Sequence, residues 1–163
     1  MLNMGGKFRW EIEDVDGRIR DSGEFHNGIT TEGVNDILDV YFRNGSTASN
    51  WYMGLISSTD YTALDEDDTM ASHSGWTEGE NYSQAARLEW APSAATSGFL
   101  DNATAVKFTM NAVTTINGLF IVDDNTKGGV AGTLWATGLL ETAKAVKSGE
   151  IFRAWYDLTG KEG

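Results

Sequence analysis

Seven carboxylates crowd one stretch of the sequence: Asp60, Asp65, Glu66, Asp67, Asp68, Glu78 and Glu80. Alternating acids such as Asp65 and Asp67 could offer a hard cation several oxygens at short spacing. The EF-hand pattern fails here, because Thr69 and Met70 stand where a further acid or asparagine and then the glycine belong. The plainer expectation is a solvated acidic cluster that opens a short helix over residues 62–70, with no metal and no cofactor bound. Two carboxylates at about 5–9 Å would also suit glycoside hydrolysis. With 24 acidic residues in the chain, however, some pair always meets that spacing. Histidine is scarcer, at two residues. His73 lies in Ser72-His73-Ser74-Gly75, a nucleophile beside a base, but triads assemble in space rather than along the chain. His26 sits at a junction between elements, where a local hydrogen bond is its expected role. No Gly-x-Ser-x-Gly elbow is present. Gly128-Gly129-Val130-Ala131-Gly132 lacks the lysine and following helix of a phosphate loop. The chain is not expected to be an enzyme, and no catalytic residue is assigned.

The aromatic residues are better candidates. Six tryptophans could stack on a sugar, pack a small β core or line a subunit interface. Trp51, Trp90, Trp135 and Trp155 fall in strand-like runs and are expected in the core. Trp76, in an irregular stretch, and Trp10, on a hairpin, are expected to touch another chain. Phe8, Phe25 and Tyr61 join them as partner-contact residues.

These side chains need elements to hold them. Lys7 to Asp14 alternates polar and apolar and runs into Asp16-Gly17, a hairpin turn signal. Folding there sets Phe8 against Phe25, Trp10 over Gly23, Ile12 against Asp21, Arg9 against Glu24 and Glu13 against Arg20. The period then changes. Val34, Ile37, Leu38, Tyr41 and Phe42 mark an amphipathic helix over 31–43, with Thr30 or Thr31 as N-cap and Asn44-Gly45 as its stop. Short strand-like runs follow at 51–56, 82–90, 103–112, 116–122, 133–140 and 151–159, separated by glycine turns. One helix among many strands predicts an antiparallel β-sandwich, jelly-roll-like, with an N-terminal β-hairpin. The expected division is a hairpin arm, residues 1–28, and a sandwich body, residues 29–163, carrying the helix and a long loop at 57–81. A loop of that length usually has a task or hides a short helix.

Composition narrows the function classes. The chain has 163 residues, 24 acidic against 12 basic, for a net charge of −12. A scattered minority of basic residues speaks against nucleic-acid binding. There is no cysteine, which removes disulfides and thiolate chemistry. No apolar run reaches the roughly 18 residues of a membrane span, and the start lacks a secretory pattern.

Several phrases taken in order carry a resemblance. They are His26-Asn-Gly-Ile-Thr-Thr-Glu-Gly33, Asn35-Asp-Ile-Leu-Asp-Val-Tyr41 and Trp51-Tyr-Met-Gly-Leu-Ile56, then Asp68-Thr-Met-Ala-Ser-His-Ser-Gly-Trp-Thr-Glu78 and Tyr82-Ser-Gln-Ala-Ala-Arg87. Asp101-Asn-Ala-Thr-Ala-Val-Lys-Phe108, Gly132-Thr-Leu-Trp135 and Ser148-Gly-Glu-Ile-Phe152 complete them. This order resembles small structural proteins of tailed bacteriophages, auxiliary capsid proteins of the decoration or cement type among them. The resemblance implies a virion protein made in the host cytoplasm that binds the major capsid protein and itself, as a dimer or trimer. The charge then favours the capsid exterior over a DNA-packed interior. A tail or fibre component that binds a glycan or receptor, using Trp76, Tyr61 and Tyr82, is the alternative.

Overall fold

A computed structural model describes residues 2–162; Met1 and Gly163, the outer ends of the two expected units, lie outside the described residues. The elements are β1 (Leu2–Glu13), β2 (Ile19–Ile29), α1 (Thr31–Phe42), β3 (Trp51–Ser57) and β4 (Leu88–Trp90). They continue with β5 (Phe99–Asp101), β6 (Val106–Thr109), β7 (Thr114–Val122), β8 (Leu134–Val146) and β9 (Ile151–Glu162). One antiparallel sheet runs β4-β3-β7-β8-β2-β1-β9-β5, with β6 also on β9. It curls into two facing layers, the mainly β, sandwich-like fold that the sequence predicts.

The two layers share a core in which two tryptophan N–H groups are hydrogen-bonded across the gap. Trp90 Nε1 on β4 donates to the Tyr156 carbonyl on β9 at 3.2 Å. Trp135 Nε1 on β8 donates to the Tyr156 hydroxyl at 3.2 Å. Burial pushes that hydroxyl's pKa up to about 12, so it stays a neutral hydrogen-bonding group. Where β2 meets β8 the backbone ladder holds only Gly28 to Thr137 and Ile29 to Ala136. Further along, Arg20 Nη2 donates to the Ala145 carbonyl at 2.8 Å and Lys144 pairs with Asp21 at 3.0 Å. Side chains close the seam that backbone bonds leave.

The hairpin keeps its expected register from Phe8–Phe25 through Trp10–Gly23 to Ile12–Asp21. A Cβ on Gly23 would come within 2.9 Å of the Trp10 ring, so that ring needs glycine beneath it. A bulge after Ile12 then sets Glu13 against Ile19 rather than Arg20. The expected ion pairs also change partner. Arg9 binds Asp157 at 3.1 Å, Glu24 takes Lys7 at 3.0 Å, Arg20 takes Glu150 at 2.7 Å, and Glu13 pairs with Arg153. The reason is β9, which pairs with β1 along its whole length, from Leu2–Glu162 to Glu13–Ile151. An arm detached from a body at residue 29 is therefore not the geometry observed. β1 is an interior strand, and Phe8, Trp10 and Ile12 are core residues.

Helix α1 begins and ends as its sequence demands. The Thr30 hydroxyl accepts from Gly33 N at 3.0 Å, and Asn44 takes a positive φ of 57° past the last turn. Its orientation differs from the expectation. The only fully buried residue is Gly33, and a Cβ there would sit 2.7 Å from the Trp135 carbonyl. That close approach seats the helix on Gly33, Ile37 and Val40. At 100° per residue the docked face lies roughly 100° around the helix from the centre of the apolar stripe.

The stretch at 57–81 contains no helix; residues 62–70 are irregular, with turns at 66–67 and 70. Its order comes from a second small core, in which Met70 and Trp76 pack with Ile56, Phe120, Val122 and Leu134. Backbone bonds staple both ends, Ser57 N to the Thr77 carbonyl at 2.9 Å and Gly79 N to the Leu55 carbonyl at 2.7 Å. Arg87 locks the far end. Its fully buried guanidinium meets Glu78 Oε2 at 2.8 Å and donates to the carbonyls of Asp124 at 3.0 Å and Gly129 at 2.7 Å.

Candidate interaction surface

Several carboxylates of the long loop spend their oxygens on hydrogen bonds within the protein. Asp65 caps Asp67 N at 2.9 Å, Asp67 accepts from the Thr31 hydroxyl at 2.8 Å, and Asp68 accepts from Trp76 Nε1 at 2.9 Å. Among the described residues no three His, Asp or Glu side chains converge as a metal would require. His73 Nδ1 faces the Trp76 carbonyl at 3.1 Å while its ring stacks on the Trp76 indole, centroids 4.0 Å apart. That geometry makes His73 part of the Trp76 packing.

The partner-contact residues predicted from sequence are mostly covered. Phe8, Trp10 and Trp76 are buried, Phe8 against Phe25 and Tyr156, Trp10 against Phe152 and Trp76 against Phe120. Three corrections follow for contact with another chain, and the physical reason is shared: each ring is claimed by a strand distant in sequence. Phe25 is half-buried against Phe8, with ring centroids 5.2 Å apart, and Tyr61 is half-buried against the small core. Tyr82, named for sugar stacking, is also buried; desolvation raises its hydroxyl well above the ordinary tyrosine range. Trp155 moves the other way. Expected in the core, it lies on the outward face of β9, half-exposed, with the Arg9 guanidinium over its ring at 5.5 Å.

The surface that does present apolar groups surrounds α1. A cleft of about 310 Å³ opens between the helix and the sheet, floored by Trp51, Trp90 and Trp135 and walled by Ile37, Val40 and Tyr41. At its rim Asp36 is held above the usual carboxylate range, by burial first and then by Asp123 and Asp39. On the solvent side of the helix Tyr41 is 81% exposed and Phe42 79%, with Leu38 and Val34 at 49% and 46%. Scattered exposed apolar residues are ordinary, but four on one short helix form a patch. The sequence period identified these residues without showing that the helix turns them outward. The glycine at 33 was the available sign that another face would dock.

Residues 28–156 match a protein family described as "Podophage GP4 fiber I protein gp80". The chain belongs to that family. It is accordingly a phage structural protein, and its place is the virion. The match begins at the end of the hairpin and covers α1, the long loop and the first half of β9. No curated protein matches the chain. No helix among the described residues is long and apolar enough to cross a membrane.

Proposed function

We propose that this chain is a non-catalytic subunit of a virion fibre, joined to neighbouring proteins through the surface around α1. The observation that carries the reading is the uncharged, apolar outer face of α1 beside a tryptophan-floored cleft, in a family whose description names a fibre protein. Apolar surface left in water on a helix is what a protein-binding face requires. The description favours the fibre over the capsid exterior, where a decoration or cement protein would bind the major capsid protein.

Charge supports a protein partner over a nucleic acid. Lys7, Arg9, Arg20, Arg43, Arg87, Lys144 and Arg153 are each paired with a carboxylate, so few cations are left for phosphates. The glycan-binding form of the fibre reading loses two of its three named rings, because Trp76 and Tyr82 offer no free ring face while Tyr61 is half-buried. Separating heads from tails and probing each with an antibody to this chain tests the placement. Recovery with the tail fraction is expected; recovery with tail-free heads would overturn the fibre and return the chain to the shell.

A further inference from the structure

We propose that the outward face of α1 is a self-association surface, on which a second copy of this chain docks helix against helix with the two Leu38 side chains meeting at the crossing. The inference goes beyond placement in a fibre and stands on the helix alone.

The occupant is chosen by charge. Taking 100° per residue, Thr31, Val34, Asn35, Leu38, Tyr41 and Phe42 lie within about 60° either side of Leu38, and none is charged. All six are exposed. The helix's own charges, Glu32, Asp36, Asp39 and Arg43, fall on its flank and rear, and Arg43 is tied to Asp39 at 3.0 Å. In a chain of net charge −12, most faces of one copy repel another. A basic partner would be drawn to those acidic faces and gains nothing on this one. An apolar strip free of charge is where two acidic copies can meet without like charges opposed.

The strip is also self-complementary. Val34, Leu38 and Phe42 stand four residues apart and form one ridge of the kind that interlocks with its own copy at a crossing of about −50°. Val34 and Phe42 lie at equal spacing either side of Leu38, so a two-fold axis at Leu38 sets small against large on both sides. One helix crossing buries little area, which makes the free dimer weak; repetition along an assembly strengthens it.

The absence of cysteine gives a direct test. Leu38→Cys in the full chain is expected to form a disulfide-linked dimer under mild oxidation. Val113→Cys, at an apolar site still more exposed than Leu38, is expected to stay monomeric. By sedimentation velocity, Leu38→Asp should raise the dimer dissociation constant at least about tenfold while leaving the thermal transition in place. Monomer at every concentration, equal cross-linking of both cysteine variants, or a trimer would each overturn the proposal. A monomer that still locates to the tail would refute this inference and spare the fibre reading; a dimer found on heads would do the reverse.

Discussion

Arg87 offers the sharpest test of how the loops are held. Its guanidinium is fully covered and donates from Nε to Glu78 Oε1 at 3.1 Å and from Nη2 to Glu78 Oε2 at 2.8 Å. The remaining N–H groups reach the Asp124 and Gly129 carbonyls, and Phe120 lies under the plane at 5.3 Å. Glu78 is nearly as buried, and its other bond comes from Gly128 N at 2.9 Å. Arg87→Met keeps much of the apolar stem but strands a buried carboxylate and two carbonyls. Removing one partner of such a pair costs about 3–5 kcal/mol, mainly because the other charge remains. At about 2–4 °C per kcal/mol for a chain of this size, the melting temperature should fall by roughly 6–20 °C. Tryptophan fluorescence during thermal and urea unfolding reads this, since Trp76 and Trp90 flank the clamp in sequence. The double variant Arg87→Met with Glu78→Gln should cost at least about 1 kcal/mol less than the two single changes summed. A single variant within about 1 kcal/mol of the parent, or strict additivity in the double, would refute the account of a buried, coupled pair.

Gly33→Ala should destabilise by about 1–3 kcal/mol in urea titration, although alanine is the better helix former, because its Cβ would press on the Trp135 carbonyl. Deleting residues 1–28 should abolish the cooperative unfolding transition seen by circular dichroism; a folded remainder would show that β9 does not need β1. The Glu150 carboxyl is held below the ordinary glutamate value of 4.5, first by its hydrogen bonds from Arg20. Because the folded state binds that proton less readily, the stabilisation is complete above the ordinary value and is lost as pH falls through the lowered one. Arg20→Gln should therefore lower the urea midpoint clearly at pH 7 and much less at pH 3.

What was legible in the sequence was local. The turn at Asp16-Gly17 and the aromatic pair fix the hairpin register within about twenty residues of chain, and α1 carries both of its caps in its own sequence. The partners of the hairpin's charges were not legible, because Asp157, Glu150 and Arg153 are more than a hundred residues away and nothing near Arg9, Arg20 or Glu13 points to them. The same distance hid the burial of Trp10, whose ring stacks on Phe152. For Trp76 the covering groups are Phe120 and a carboxylate, Asp68, whose acidic neighbours read as solvated loop. In α1 the periodic stripe was read correctly as apolar, yet amphipathicity assigns an apolar face without saying whether this chain or another one covers it.

The ladder that joins β1 to β9 also governs the order of assembly. Leu2 pairs with Glu162 and Glu13 with Ile151, so the first strand made finds its second neighbour only in the last one. During synthesis the β1–β2 hairpin can close at once, but it must wait for nearly the whole chain with Phe8, Trp10 and Ile12 uncovered on one side. Contacts this distant in sequence make folding slow and leave an unpaired strand edge exposed meanwhile. A nascent chain halted before residue 151 is thus a sticky hairpin on an incomplete sheet, and truncation ahead of β9 would produce aggregating fragments rather than smaller working subunits.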